Sequence, residues 1–93
     1  MKVQDNPAEN RFQIVLDDEG AVAAAYYRID DEGRYVLIHT EVPSEYGGQG
    51  LGSALARGVF DMARERGLKL VLRCSFMAAW YARHPDYGDV VAG

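Results

Sequence analysis

Tyr46-Gly47-Gly48-Gln49-Gly50-Leu51-Gly52-Ser53 puts four glycines into eight residues, between a strand-like run and a stretch with helical periodicity. Residues 35–42 read as a strand that Pro43 ends. After the loop, Leu51, Leu55, Val59 and Met62 recur at helical spacing, with Ala54 and Ala63 beside them. A helix N-terminus carries unpaired N–H groups and about half a positive charge, so an anion placed there is held by backbone donors. Glycines let the backbone approach such an anion closely. The loop therefore reads as a phosphate cradle, or as a plain strand-to-helix connection. No Lys follows any of these glycines, so the triphosphate pattern Gly-x-x-x-x-Gly-Lys-Ser/Thr is absent. The dinucleotide pattern Gly-x-Gly-x-x-Gly fails as well. Its third glycine would fall on Leu55 or on Ser53.

Upstream of the loop, residues 12–16 and 21–29 read as two further strands. Asp17-Asp18-Glu19-Gly20 and Asp30-Asp31-Glu32-Gly33 punctuate them with the same turn chemistry. Three strands joined by such turns predict an antiparallel meander. Residues 1–9 are polar, contain Pro7 and read as a flexible arm, leaving one domain over 10–93. Downstream, Gly67 stops the helix, and Gly58 within it points to close packing on the sheet. Residues 68–73 read as a fourth strand, parallel to the third because a helix separates them. Ser75 is placed to cap a last helix over 76–83, closed by His84-Pro85. The expected class is α+β (α/β in the broad sense). Its order is β-β-β-α-β-α, a meander plus one parallel strand, with helices packed on a mixed sheet.

Composition narrows the chemistry. The 93 residues carry a formal net charge of −4, which argues against a nucleic-acid partner. Arg57, Arg64, Arg66, Lys69 and Arg73 concentrate positive charge in the second half. That suits a small anionic ligand, or simply a solvated helix face. One cysteine, Cys74, allows no internal disulfide, and two histidines with no ligand spacing argue against a metal. No stretch is apolar enough for a membrane span and the N-terminus has no signal-peptide core, so the cytoplasm is the expected location.

The ordered set His39-Thr40-Glu41-Val42-Pro43, Gly48 to Ser53, Cys74 and Arg83-His84-Pro85-Asp86-Tyr87 resembles the GNAT acyltransferase superfamily, specifically its short YjdJ-type branch. The resemblance implies acetyl-CoA as co-substrate and an amine acceptor of unknown identity. It implies a pyrophosphate site at Gly47, Gly48, Gln49, Gly50, Leu51, Gly52 and Ser53, and a pantetheine arm along Thr40 to Val42. His84 belongs to the same motif and implies a ligand-facing role. Gly50 and Gly52 match the superfamily loop Gln/Arg-x-x-Gly-x-Gly/Ala, but Gly47 stands where Gln or Arg is usual. Backbone donors must then carry more of the binding. His39 and Glu41 lie two apart on one strand and share a face. Either could be the base, or the two could be an ordinary surface pair. Cys74, ahead of a helix, could accept the acetyl group or be a small buried hydrophobe. Tyr81 falls where the superfamily carries the acid for the thiolate, and could equally be a core aromatic. A non-catalytic acetyl-CoA or coenzyme A binding module is the alternative.

Overall fold

The computed structural model describes residues 2–93 as one five-stranded mixed sheet with two helices. The strands are β1 (Gln4–Asn6), β2 (Arg11–Val15), β3 (Val22–Ile29), β4 (Tyr35–Glu41) and β5 (Leu70–Leu72), in that order across the sheet. The first four run antiparallel and β5 runs parallel to β4. Helix α1 (Leu51–Arg66) makes the crossover, and α2 (Ser75–Ala82) follows β5. The meander, the parallel fourth pairing and the α+β class are as the sequence predicts.

The turns work as their residues dictate. Asp17 takes the Glu19 and Ala21 N–H groups on one carboxylate oxygen, and Asp30 does the same for Glu32 and Arg34. Helix α1 buries Leu51, Leu55, Ala56, Val59, Phe60 and Ala63, one stripe at helical spacing, against Phe12, Ile14, Ala23 and Ala25. It ends in a Schellman arrangement: the Leu68 N–H reaches Ala63 O at 2.8 Å, with Gly67 left-handed.

Two expectations need correction. The N-terminal arm is a strand. Gln4–Asn6 pairs with β2, Tyr27 Oη donates to Asp5 at 2.6 Å, and Arg66 reaches the other Asp5 oxygen at 3.0 Å. Burial, then the Asp5 carboxylate, pushes the Tyr27 hydroxyl pKa upward. Val3 is buried on α1 (Met1 lies outside the described residues). Second, Ser75 is the first residue of α2, and Cys74 takes the cap position without a side-chain cap. The C-terminal residues also add to the sheet beside β5. Leu70 bridges Val91, Ala92 N–H donates to Leu70 O, and Leu72 N–H donates to Gly93 O.

Gly58 explains why the arm seats. A Cβ there would stand 2.1 Å from Val3 Cγ2 and 2.8 Å from Val3 Cβ. Gly58→Ala should therefore lower stability by about 1–3 kcal/mol, overriding the roughly 1 kcal/mol that alanine gains in a helix. Chemical denaturation is the measurement. A Val3→Gly background should return most of the loss, and an unchanged midpoint in the single variant would show that the arm does not seat there.

Candidate functional site

Residues Tyr46 to Ser53 wrap the start of α1. Gly50 is the cap residue, left-handed at φ 73°, and no side chain caps the helix. The Leu51, Gly52 and Ser53 N–H groups therefore have no partner within the helix. Gly52 is required for close approach. A Cβ there would meet Phe76 Cζ at 2.8 Å, so the Phe76 ring lies directly on the first turn of α1. Between them opens a cleft of about 360 Å³, lined by the loop glycines, Leu51 and Ser53, by Val42 from the end of β4, and by Tyr46, Phe76 and Arg83. That volume is in the range of small-ligand sites.

The loop is tied down from outside. Tyr46 Oη donates to Asp17 Oδ2 at 2.8 Å, joining the cleft wall to the β2–β3 turn. The Tyr46 hydroxyl, then the Ala21 and Glu19 N–H groups, lower the Asp17 carboxyl below its ordinary 3.8, while Asp17 raises the Tyr46 hydroxyl above its ordinary 10.0. The signs define a window. The lowered Asp17 gives a contribution present above pH 3.8 and lost as pH falls through its folded value. The raised Tyr46 gives one present below pH 10 and lost as pH rises through its folded value. Tyr46→Phe should thus lower the melting temperature by a few degrees at neutral pH, and the gap to wild type should close below pH 3.8. A gap that stays constant in acid would remove Asp17 as the anchor.

A bulge in β4 arranges the second half of the site. Tyr26 pairs with His39 and Tyr27 with Leu37, which leaves Ile38 unpaired between them and shifts the alternation by one residue. Thr40 then faces the helices, and its hydroxyl lies 3.2 Å from the Cys74 thiol. His39 and Glu41 face the side of the sheet without helices, Nε2 to Oε2 at 3.4 Å, with side chains 59% and 65% exposed. Strand pairing between β4 and β5 stops at Leu37–Leu72. The Arg73 and Cys74 N–H groups both turn onto Leu37 O, at 3.0 and 2.9 Å, and the strands part beyond that point.

The structure brings together Val42, Gly47, Gly48, Gly50, Leu51, Gly52 and Ser53 in one cleft, with Thr40 and Cys74 in contact behind it. Gln49 lies in the same loop with an exposed side chain. Tyr81 and His84 lie elsewhere. The Tyr81 ring stacks on Phe60, and a Cβ on Gly88 would stand 3.3 Å from its hydroxyl, so the ring faces the C-terminal segment. His84 stacks on Trp80 at 3.8 Å and its Nδ1 pairs with Trp80 O at 2.8 Å. It is Phe76 of α2 and Arg83, the residue that caps its C-terminus, seven residues apart and hence on one side of the helix, that reach the cleft. Arg83 is the functional candidate that sequence reasoning does not single out, although it begins the Arg83–Tyr87 motif. Ser53 also bridges the two helices, because its hydroxyl accepts the Trp80 indole N–H at 3.0 Å. Among the described residues no group of three or more His, Cys, Asp or Glu side chains could hold a metal ion, and no helix is long and apolar enough to cross a membrane.

A meander with a parallel crossover strand, splayed strands and an uncapped helix behind a glycine loop define the class of acetyltransferase-fold α+β proteins. The chain belongs to the GCN5-related N-acetyl-transferase family, whose model matches residues 11–90. It is 37% identical over 85 residues to Protein NATD1 of Gallus gallus, spanning 91% of this chain and 77% of that protein. The Homo sapiens Protein NATD1 is 27% identical over 85 residues, spanning 91% and 75%. Among solved structures, the NMR structure of a GCN5-like putative N-acetyltransferase from Staphylococcus aureus superposes with a TM-score of 0.72 at 36% identity, over 99% of this chain and 88% of that one.

Proposed function

We propose that this chain is an acetyl-CoA-dependent N-acetyltransferase of the short YjdJ-type branch, acting in the cytoplasm on an amine. The observation that carries this reading is the cleft joining the uncapped start of α1 to the Val42 end of β4. The residues present fit a pyrophosphate and a pantetheine arm. The N–H groups of Leu51, Gly52 and Ser53 are open donors, Phe76 offers an apolar wall, and Arg83 supplies the cation that Gly47 lacks.

The thioester supplies an activated acyl carbon. The acceptor amine's lone pair attacks that carbon, a C–N bond forms and the C–S bond breaks. The amine proton passes to the Glu41–His39 pair and returns to the departing sulfur, leaving an amide and the free thiol. Cys74 offers a covalent route: its sulfur attacks the thioester carbon, the coenzyme A C–S bond breaks and the Cys74 proton goes to the departing sulfur, and the amine then takes the acetyl group from Cys74 and returns a proton to its thiolate. The exposure of both His39 and Glu41 on an unwalled face favours a second reading, a coenzyme A binding module without turnover.

Coenzyme A should raise the melting temperature while ATP and NAD do not; equal protection by all three, or none, would sink both readings. Thiol release that depends on an added amine separates enzyme from module. Glu41→Gln should lower its rate by about 100-fold with coenzyme A protection unchanged. An acetyl adduct on Cys74, seen by mass spectrometry and absent in Cys74→Ala, would assign the covalent route.

A further inference from the structure

Both helices pack on one face of the sheet, and among the described residues no α-helix covers the other face. The bulge at Ile38–His39 sets His39 and Glu41 on that open face. Cross-strand register puts Arg11, Tyr26 and His39 in one row over β2, β3 and β4. The Tyr26 and His39 rings stack at 6.3 Å, and the Arg11 guanidinium lies 6.0 Å from the Tyr26 ring centre. The next row is Gln13, Ala24 and Glu41, of which Gln13 and Ala24 are buried and Glu41 is exposed. Arg28 aligns with Val36, and Arg73, alternating with Leu72, faces the same side next to the point where β4 and β5 part. Among the described residues, Glu41 is the only acidic side chain that strand alternation puts on this face, against three arginines, in a chain of net charge −4. Arg28 and Arg73 are exposed and, among the described residues, make no side-chain hydrogen bond or ion pair.

We infer that this helix-free face is a docking platform for an acidic peptide segment, which presents its amine to Glu41 and His39. The proposal rests on the acetyltransferase reading and names its acceptor class. The reasons are charge and spread. Three arginines, on β2, on β3 and directly after β5, extend across roughly 14 Å at the usual strand spacing, further than one small amine bridges. An extended chain with several carboxylates meets all three. The ring row of Tyr26 and His39 supplies an apolar floor between them, and the unwalled face admits a polymer. Guanidinium groups recognise carboxylates through paired N–H donors, so a basic or neutral segment forfeits these contacts.

The test uses dye-labelled peptides with one central lysine flanked by glutamates, by serines or by arginines, with binding read by fluorescence anisotropy at low salt. The glutamate peptide should bind about tenfold tighter than the serine peptide, with the arginine peptide weakest. Charge reversal in the double variant Arg28→Glu and Arg73→Glu should invert the order. The same variant should keep its coenzyme A thermal shift, which also reports that it is folded. Equal binding of the three peptides, a preference that survives the double reversal, or tighter binding of a single-stranded oligonucleotide or of a small amine than of the acidic peptide would each overturn the proposal. Peptide selectivity without coenzyme A protection would overturn the enzyme reading and spare the surface. Coenzyme A protection without peptide selectivity would do the opposite.

Discussion

Gly52→Val is expected to weaken coenzyme A binding about 10- to 100-fold while the ligand-free protein stays folded. The first added carbon already stands 2.8 Å from Phe76 Cζ, so with ligand in the cleft the two methyl groups beyond it, the ring and the ligand compete for the same space. Overpacking of this kind costs about 1–3 kcal/mol, and each 1.4 kcal/mol is a tenfold change in affinity. Phe76 is 38% exposed, so the ligand-free protein has room to turn the ring outward, and its melting temperature should change little. Affinity should fall in the order Gly52, Ala, Val by calorimetric titration. If the valine variant binds within a factor of two of wild type, the pyrophosphate does not sit against the first turn of α1. Arg83→Ala, on the opposite wall, should weaken binding without touching that turn.

Trp80→Ala is expected to bring the domain close to unfolding. Trp80 has no exposed surface and lies 5.0 Å from Phe60 and 5.6 Å from Tyr87, with His84 stacked on it. Its truncation costs about 3–5 kcal/mol, against a total of about 5–14 kcal/mol for a chain this size. The melting temperature should fall by at least about 12 °C. Trp80→Phe keeps a ring but leaves the Ser53 hydroxyl without the indole donor, and should cost less. Ser53→Ala should cost about 1–3 kcal/mol, because a buried indole N–H is left unpaired. Since Ser53 is also the third residue of α1, both variants should loosen coenzyme A binding. A melting temperature in Trp80→Ala within a few degrees of wild type would show that the aromatic cluster does not hold the helices together.

The aromatic cluster also shows why some parts of the site were legible and others were not. The turns at Asp17–Gly20 and Asp30–Gly33 were legible because an aspartate, two polar residues and a glycine satisfy the turn locally. Helix α1 was legible because its buried stripe and its Gly67 stop lie in one continuous segment. The uncapped start of α1 was legible because four glycines in eight residues between a strand and a helical stripe leave no side chain to close the first turn. Gln4–Asn6 was not, since three polar residues beside Pro7 have no strand pattern of their own. What holds them is Val3 against Gly58 and Asp5 against Tyr27 and Arg66, all distant in the chain. Arg83, not His84 or Tyr81, reaches the cleft for a similar reason: the rotation of α2 is set by Met77 and Trp80 docking into the core.

By itself, then, the sequence determined the order of the elements from β2 to α2, the two tight turns, the parallel crossover and the glycine-rich start of α1, because periodicity and turn chemistry act within a few residues. Only the tertiary structure decided which face each site residue meets. One extra residue at Ile38–His39 turns Thr40 toward Cys74 and sends His39 and Glu41 to the open side. Alternation says which residues share a face. Which of the two faces meets the helices depends on where the bulge falls, and that is set by pairing with Tyr26 and Tyr27 on the neighbouring strand.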